Sequence, residues 1–137
     1  MTYELRDHTA DVAVEATADT LSALFAAVAD GLAAASAESV PLTGGDRFDL
    51  EVAAEGREAL LFDYLDRLIY ERDVRNVLPV DSEATVRETA DEWVVEASTR
   101  GVPLDRVSAR EVKAVTYSEM AIEEVEGGWR VYVVLDV

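Results

Sequence analysis

The segment Asp7-His8-Thr9-Ala10-Asp11 holds the chain's one histidine and ends on a carboxylate just before an alternating apolar run. At the far end, the stretch Trp129 to Leu135 delivers Asp136 and the terminal carboxylate of Val137. Oxygen donors of this kind suit a hard cation such as Ca²⁺, Mg²⁺ or Mn²⁺, which takes carboxylates, carbonyls and water. If the two ends meet in space, Asp11, Asp136 and the Val137 carboxylate supply three anionic groups. The residues taken alone favour a plainer reading, with Asp11 as a turn or capping residue and Asp136 as an exposed strand end.

Three further side chains stand out. His8 fits a metal ligand, a general acid/base or a donor that holds loop carbonyls, and a lone histidine beside acids is more often structural. Lys113 is the only lysine of the chain and sits in the apolar segment Val112-Lys113-Ala114-Val115. It reads either as a surface lysine with a buried stem or as a cation facing the acidic site or a phosphate. Asp63 interrupts a helical pattern beside its apolar stripe. No phosphate-binding glycine loop, nucleophile elbow or zinc-protease pattern is present, so an independent enzyme has little support.

Composition narrows the classes. The 137 residues suit a single domain over 1–137, and half of them are hydrophobic, enough for a real core. With no cysteine, disulfides, thiolate metal sites and cysteine catalysis are excluded. No apolar run approaches the roughly 20 residues that span a bilayer, and no signal-peptide pattern precedes the first strand. A cytoplasmic protein without membrane contact is expected. The 29 acidic against 12 basic residues give a net charge of −17. Such a surface repels nucleic-acid phosphates, so direct RNA or DNA binding is not expected. The near-absence of lysine points to adaptation of the whole surface to high salt, where self-repulsion is screened, rather than to one acidic face for a basic partner.

The elements that must position these residues follow from periodicity. Tyr3 to Leu5 and Val12 to Ala16 read as strands. Asp19 or Thr20 caps a helix whose stripe is Leu21, Leu24, Phe25, Val28 and Leu32, ending near Ala37. Phe48, Leu50 and Val52 alternate as a strand, and a second amphipathic helix runs from about Arg57 to Glu71. Beyond Val74 the chain is mostly strand: Ala84–Val86 and Trp93–Val95 around a turn at Ala90-Asp91, a loop opened by Gly101 and Pro103, then Val112–Tyr117, Met120–Val125 and Trp129–Leu135, the last two joined by Gly127-Gly128. The expected fold is a compact α+β domain, two amphipathic helices on a mostly antiparallel β-sheet.

Five blocks in this order resemble the archease family: Tyr3-Glu4, His8-Thr9-Ala10-Asp11, Leu60-Leu61-Phe62-Asp63-Tyr64-Leu65 with Leu68-Ile69-Tyr70, Lys113-Ala114-Val115-Thr116-Tyr117, and Leu135-Asp136-Val137. The chain departs from the family pattern at Tyr64 (often tryptophan), Arg67 (often glutamate) and Ser118 (usually histidine). The resemblance implies an accessory factor of the RtcB-type RNA splicing ligase, which joins 2′,3′-cyclic phosphate or 3′-phosphate ends to 5′-hydroxyl ends with GTP and Mn²⁺. It implies promotion of that ligase's guanylylation and turnover, chiefly in tRNA splicing, with tRNA met only through the ligase. It also implies a divalent cation, Ca²⁺ in the isolated protein or Mg²⁺ or Mn²⁺, at Asp11, Asp136 and the Val137 carboxylate, with Lys113 and Asp63 as further functional positions. This reverses the preference for the plainer reading. Two other classes use the same residues differently: a metal-dependent phosphoesterase or nucleotide hydrolase, in which the carboxylates activate water, and a general chaperone-like interaction module.

Overall fold

The computed structural model describes residues 2–7 and 11–137; of Arg6, Asp7, Asp11 and Ser118 it describes the backbone. Seven strands and two α-helices follow in the order β1 (Thr2–Asp7), β2 (Asp11–Ala18), α1 (Leu21–Ser36), β3 (Asp46–Ala54), α2 (Arg57–Arg75), β4 (Val77–Glu88), β5 (Trp93–Pro103), β6 (Ala114–Val125) and β7 (Gly128–Asp136). The strands form two antiparallel sheets, as the α+β expectation has it, with orders β1-β2-β7-β6 and β3-β5-β4. Both helices touch both sheets, and one core joins Val14, Val133 and Leu135 of the larger sheet to Leu50 and Val95 of the smaller.

The alanine-rich α1 has eleven of its 16 residues buried, which explains why small residues fill nearly every side of it. Thr20 caps it as expected, its hydroxyl accepting from the Ala23 N–H at 3.1 Å. Gly31 lets α1 approach β2: a Cβ there would sit 2.6 Å from Val14 Cγ1. The helix also covers the free edge of β4. Ser22 Oγ accepts from the Val86 N–H at 2.8 Å and Asp30 Oδ1 from the Ser82 N–H at 3.0 Å, giving edge amides the partners they need.

Helix α2 runs one turn beyond its expected end. Its buried stripe continues through Leu61, Leu65, Leu68 and then Arg72, and Asn76 in the left-handed conformation closes it. At its start, the Arg57 guanidinium lies 5.0 Å from the Trp129 ring centre and 6.0 Å from that of Trp93, linking the two sheets.

The strands β4 and β5 are longer than the apolar runs predicted. Gly101 and Pro103, expected to open a loop, lie within β5, with Gly101 opposite Asp46 and Pro79. The segments Val112–Tyr117 and Met120–Val125 belong mainly to a single strand, β6, interrupted by a wide bulge. Six residues from Thr116 to Ala121 stand against three from Val134 to Tyr132, so three are extra. Glu119, with φ of 63°, takes the left-handed turn there.

Candidate functional site

The larger sheet brings the two ends of the chain together. In the β2–β7 register Asp11 stands opposite Asp136, and in the β6–β7 register Asp136 stands opposite Ala114. Strands β2 and β6 therefore begin where β7 ends, and the central position is that of Asp136. Alternation explains the choice of residues. Val12, Val14, Leu135 and Val133 belong to the core cluster, whereas Asp11 and Asp136 occupy the alternate register positions.

Lys113 reaches the same corner from the segment before β6. Its backbone N–H donates to the Asp136 carbonyl at 2.7 Å. It precedes the strand instead of lying inside it, and its side chain is exposed. On a regular two-faced strand Lys113 would share a side with Val115 and Tyr117, but Val115 is buried, while Tyr117 is half-exposed at the start of the bulge. Among the described residues, neither the Asp136 carboxylate nor the Lys113 ammonium has an ion-pair partner. Val137 packs partly against the core. His8 lies outside the described residues.

Asp63 is placed elsewhere. It is exposed on α2, next to Phe62, whose ring stacks on Tyr117 with centres 4.3 Å apart and planes 6° from parallel. Partial desolvation, together with the charges of Asp63 and Glu58, pushes the Tyr117 phenol above its ordinary range. Tyr117 lies three strand residues beyond Ala114, roughly 10 Å along β6. The carboxylate of Asp63 thus belongs to an aromatic patch beside the corner.

The donor set at the corner is compatible with a hard cation. Asp11 and Asp136 are oxygen donors on facing strands, and there is no thiolate to favour a soft metal. Among the described residues no group of three or more histidine or acidic side chains gathers as a ready-made metal cage.

One positioning residue escapes the sequence patterns. Arg72 of α2 is only 9 % exposed, and its Nη1 donates to the Val112 carbonyl at 3.0 Å. The signal was its place in the stripe Leu61, Leu65, Leu68, Arg72, where helical spacing calls for an apolar side chain.

Comparison with known proteins fits this architecture. The Archease protein family (MTH1598/TM1083) matches residues 3–137. The chain belongs to the archease family. It is 29 % identical to the archease of Pyrococcus furiosus and 31 % to that of Thermococcus gammatolerans, each over 98 % of both chains. The solution structure of Methanobacterium thermoautotrophicum protein 1598 superposes with a TM-score of 0.85 at 25 % identity, covering 98 % of both chains. The crystal structure of a Thermotoga maritima archease, described as a possible chaperone, shares the fold with a TM-score of 0.64 at 20 % identity, over 96 % of this chain and 94 % of that one. Among the described residues no helix is long and apolar enough to cross a membrane.

Proposed function

We propose that this archease is a non-catalytic, cytoplasmic accessory factor of an RtcB-type RNA ligase, promoting its GTP-dependent guanylylation and turnover in tRNA splicing. The observation that carries the reading is the register that sets Asp11 opposite Asp136, with the Lys113 amide on the Asp136 carbonyl. In this reading Asp11, Asp136 and the Val137 carboxylate hold a divalent cation at the corner of the larger sheet. When bound, that cation supplies a positive charge suited to phosphate oxygens. The two aspartates anchor it from adjacent strands whose spacing the β-ladder fixes. Lys113 places a second positive charge at the rim, where it meets the ligase or the phosphates of its nucleotide.

Contact with tRNA is indirect in this reading, because a chain of net charge −17 repels a polyanion. The ligase binds the RNA and performs the chemistry, while archease docks at its active-site entrance and favours productive metal–GTP binding. Guanylylation of the cognate ligase by radiolabelled GTP, in high salt, with and without this protein, tests the proposal. Stimulation by the wild type that Asp11→Ala removes is the expected result. Stimulation that survives Asp11→Ala overturns the cation mechanism, and no stimulation of a competent ligase overturns the partner. Steady phosphate release by the protein alone would instead identify a hydrolase.

A further inference from the structure

The segment between β5 and β6, residues 107–113, is irregular, yet it is tied down at nearly every residue. The Glu38 N–H donates to the Ser108 carbonyl at 3.3 Å, Ala37 bridges Ala109, and the Arg110 N–H donates to the Ser36 carbonyl at 2.8 Å. Arg110 Nε adds a bond to the Ala35 carbonyl at 2.7 Å, using an acceptor at the C-terminal end of α1. These contacts fix the first half of the strap to α1. The second half, Val112-Lys113, leaves α1 and crosses to the corner held by Asp136.

That crossing is held by α2. Arg72 Nη1 donates to the Val112 carbonyl at 3.0 Å, and the Val112 side chain is fully buried in the core. The same guanidinium is braced by Asp73, with Nε and Nη2 each 3.1 Å from Oδ1. Among the described residues Arg72 and Glu71 are the only charged residues buried. A buried charge costs stability unless it is paired and hydrogen-bonded, so an arginine is a costly way merely to fill a helix position. Its bond to Val112 falls one residue before the amide that donates to Asp136.

We propose that Arg72 is the positioning residue for Lys113: by gripping the Val112 carbonyl it sets the height and direction at which Lys113 enters the Asp11–Asp136 corner. This rests on the proposed role of that corner. Its structural part, that Arg72 controls where Lys113 sits, is tested without the ligase. Two contacts define the local geometry, Arg72 to Val112 and Lys113 to Asp136, and they grip the carbonyl and the N–H of one planar peptide unit. Loss of Arg72 frees the Val112 carbonyl and lets the Lys113 amide leave Asp136, while the β2–β7 ladder is held by its own bonds.

Amide hydrogen exchange by NMR on the full chain, in high salt, reads this directly. In Arg72→Met the Lys113 amide should exchange at least about tenfold faster relative to the Val14 and Val133 amides of the core ladder, and Arg72→Lys should restore most of the difference. A loss of global stability alone accelerates the amides that exchange by global unfolding together and leaves the ratio unchanged, which would overturn the proposal. Where the methionine variant fails to fold, Arg72→Gln, whose side chain is too short to hold the Val112 carbonyl in the same way, serves in its place, and normal Lys113 protection in it would likewise overturn the proposal. Guanylylation assays then separate the two levels. If wild type stimulates the ligase, Arg72→Met should reproduce the loss expected of Lys113→Ala. If wild type does not stimulate, the ligase reading fails while the exchange result still decides the positioning of Lys113.

Discussion

The two bulged strands, β4 and β6, use the same local device to opposite ends. Each is an edge strand, each is longer than its neighbour at the bulge (by one residue in β4 and three in β6), and each turns through a left-handed residue, Asp81 in β4 and Glu119 in β6. In β4 the bulge is knotted into the fold. The Ser82 hydroxyl donates to Thr99 Oγ1 at 3.0 Å, which donates to the Val80 carbonyl at 3.0 Å, and Asp30 accepts from the Ser82 N–H. Arg47 grips Asp81 at both carboxylate and carbonyl, and Arg100 binds the carbonyls of Gly44 and Pro41. In β6 the bulge instead presents Tyr117, half-exposed on the Phe62 ring, just past the corner where Lys113 and Asp136 meet. Charge that is consumed by hydrogen bonds builds structure. Charge left at a strand end is available to a partner.

That contrast predicts a separation of function from stability. The largest effect is expected at the corner: Asp11→Ala or Lys113→Ala should reduce stimulation of ligase guanylylation to the basal rate, with thermal unfolding nearly unchanged. An unfolding temperature that drops in step with stimulation would show the corner to be structural. The converse change is Thr99→Val in the β4 knot. It removes a fully buried hydroxyl that serves two partners, so leaving the Val80 carbonyl and Ser82 hydroxyl without it should cost roughly 1–3 kcal/mol. Urea unfolding should show the loss, while stimulation by the folded fraction stays at the wild-type level.

Much of this was legible in the sequence, and the misses have physical causes. Period-two and period-3.6 patterns identify both helices and place the alternation of Val12 and Val14, because one face of each element is buried. They fail at β4 and β5, where Gly101 and Pro103 look like breakers, yet Gly101 sits in a ladder between β3 and β4 and Pro103 pairs with Val77 of β4. They also fail at β6, where three extra residues break the phase that would have linked Lys113 to Tyr117. The number of sheets is a matter of which strands pair, and local periodicity carries no information on long-range pairing. The site was legible as residue types, Asp11 and Asp136, whereas their meeting depends on the β2–β7 register. Arg72 was hidden because a charged residue in an apolar stripe reads as the end of the helix. Its backbone acceptor, Val112, lies 40 residues away.

A smaller effect tests the display side of the comparison. Tyr117→Ala removes the stack on Phe62 and should cost about 0.5–1.5 kcal/mol, less than Thr99→Val, whereas Tyr117→Phe keeps the ring and should be close to neutral. Urea midpoints in high salt compare the three variants. A Tyr117→Ala loss larger than that of Thr99→Val would make the β6 bulge as structural as the one in β4.

The smallest effect is a slope. Asp30 reaches from α1 to the β4 bulge, and desolvation by burial raises its carboxyl above the ordinary aspartate range. The Ser82 N–H and Arg47 offset this in part, and the charge of Asp81 adds to it. With the folded-state pKa above that of the unfolded chain, the native state binds the proton more tightly between the two values. Unfolding free energy from this group therefore falls as pH rises through that window, and the burden persists at neutral pH. Asp30→Asn keeps an oxygen to accept from the Ser82 N–H and carries no charge. Relative to wild type it should gain stability as pH rises from about 4 toward neutrality, a trend isolated from the chain's other 28 acids by taking the difference between the two proteins. Parallel stability curves would mean that the Ser82 bond and Arg47 offset the desolvation fully. Asp30 would then resemble the paired charges of the β4 knot, and burial would carry no cost there.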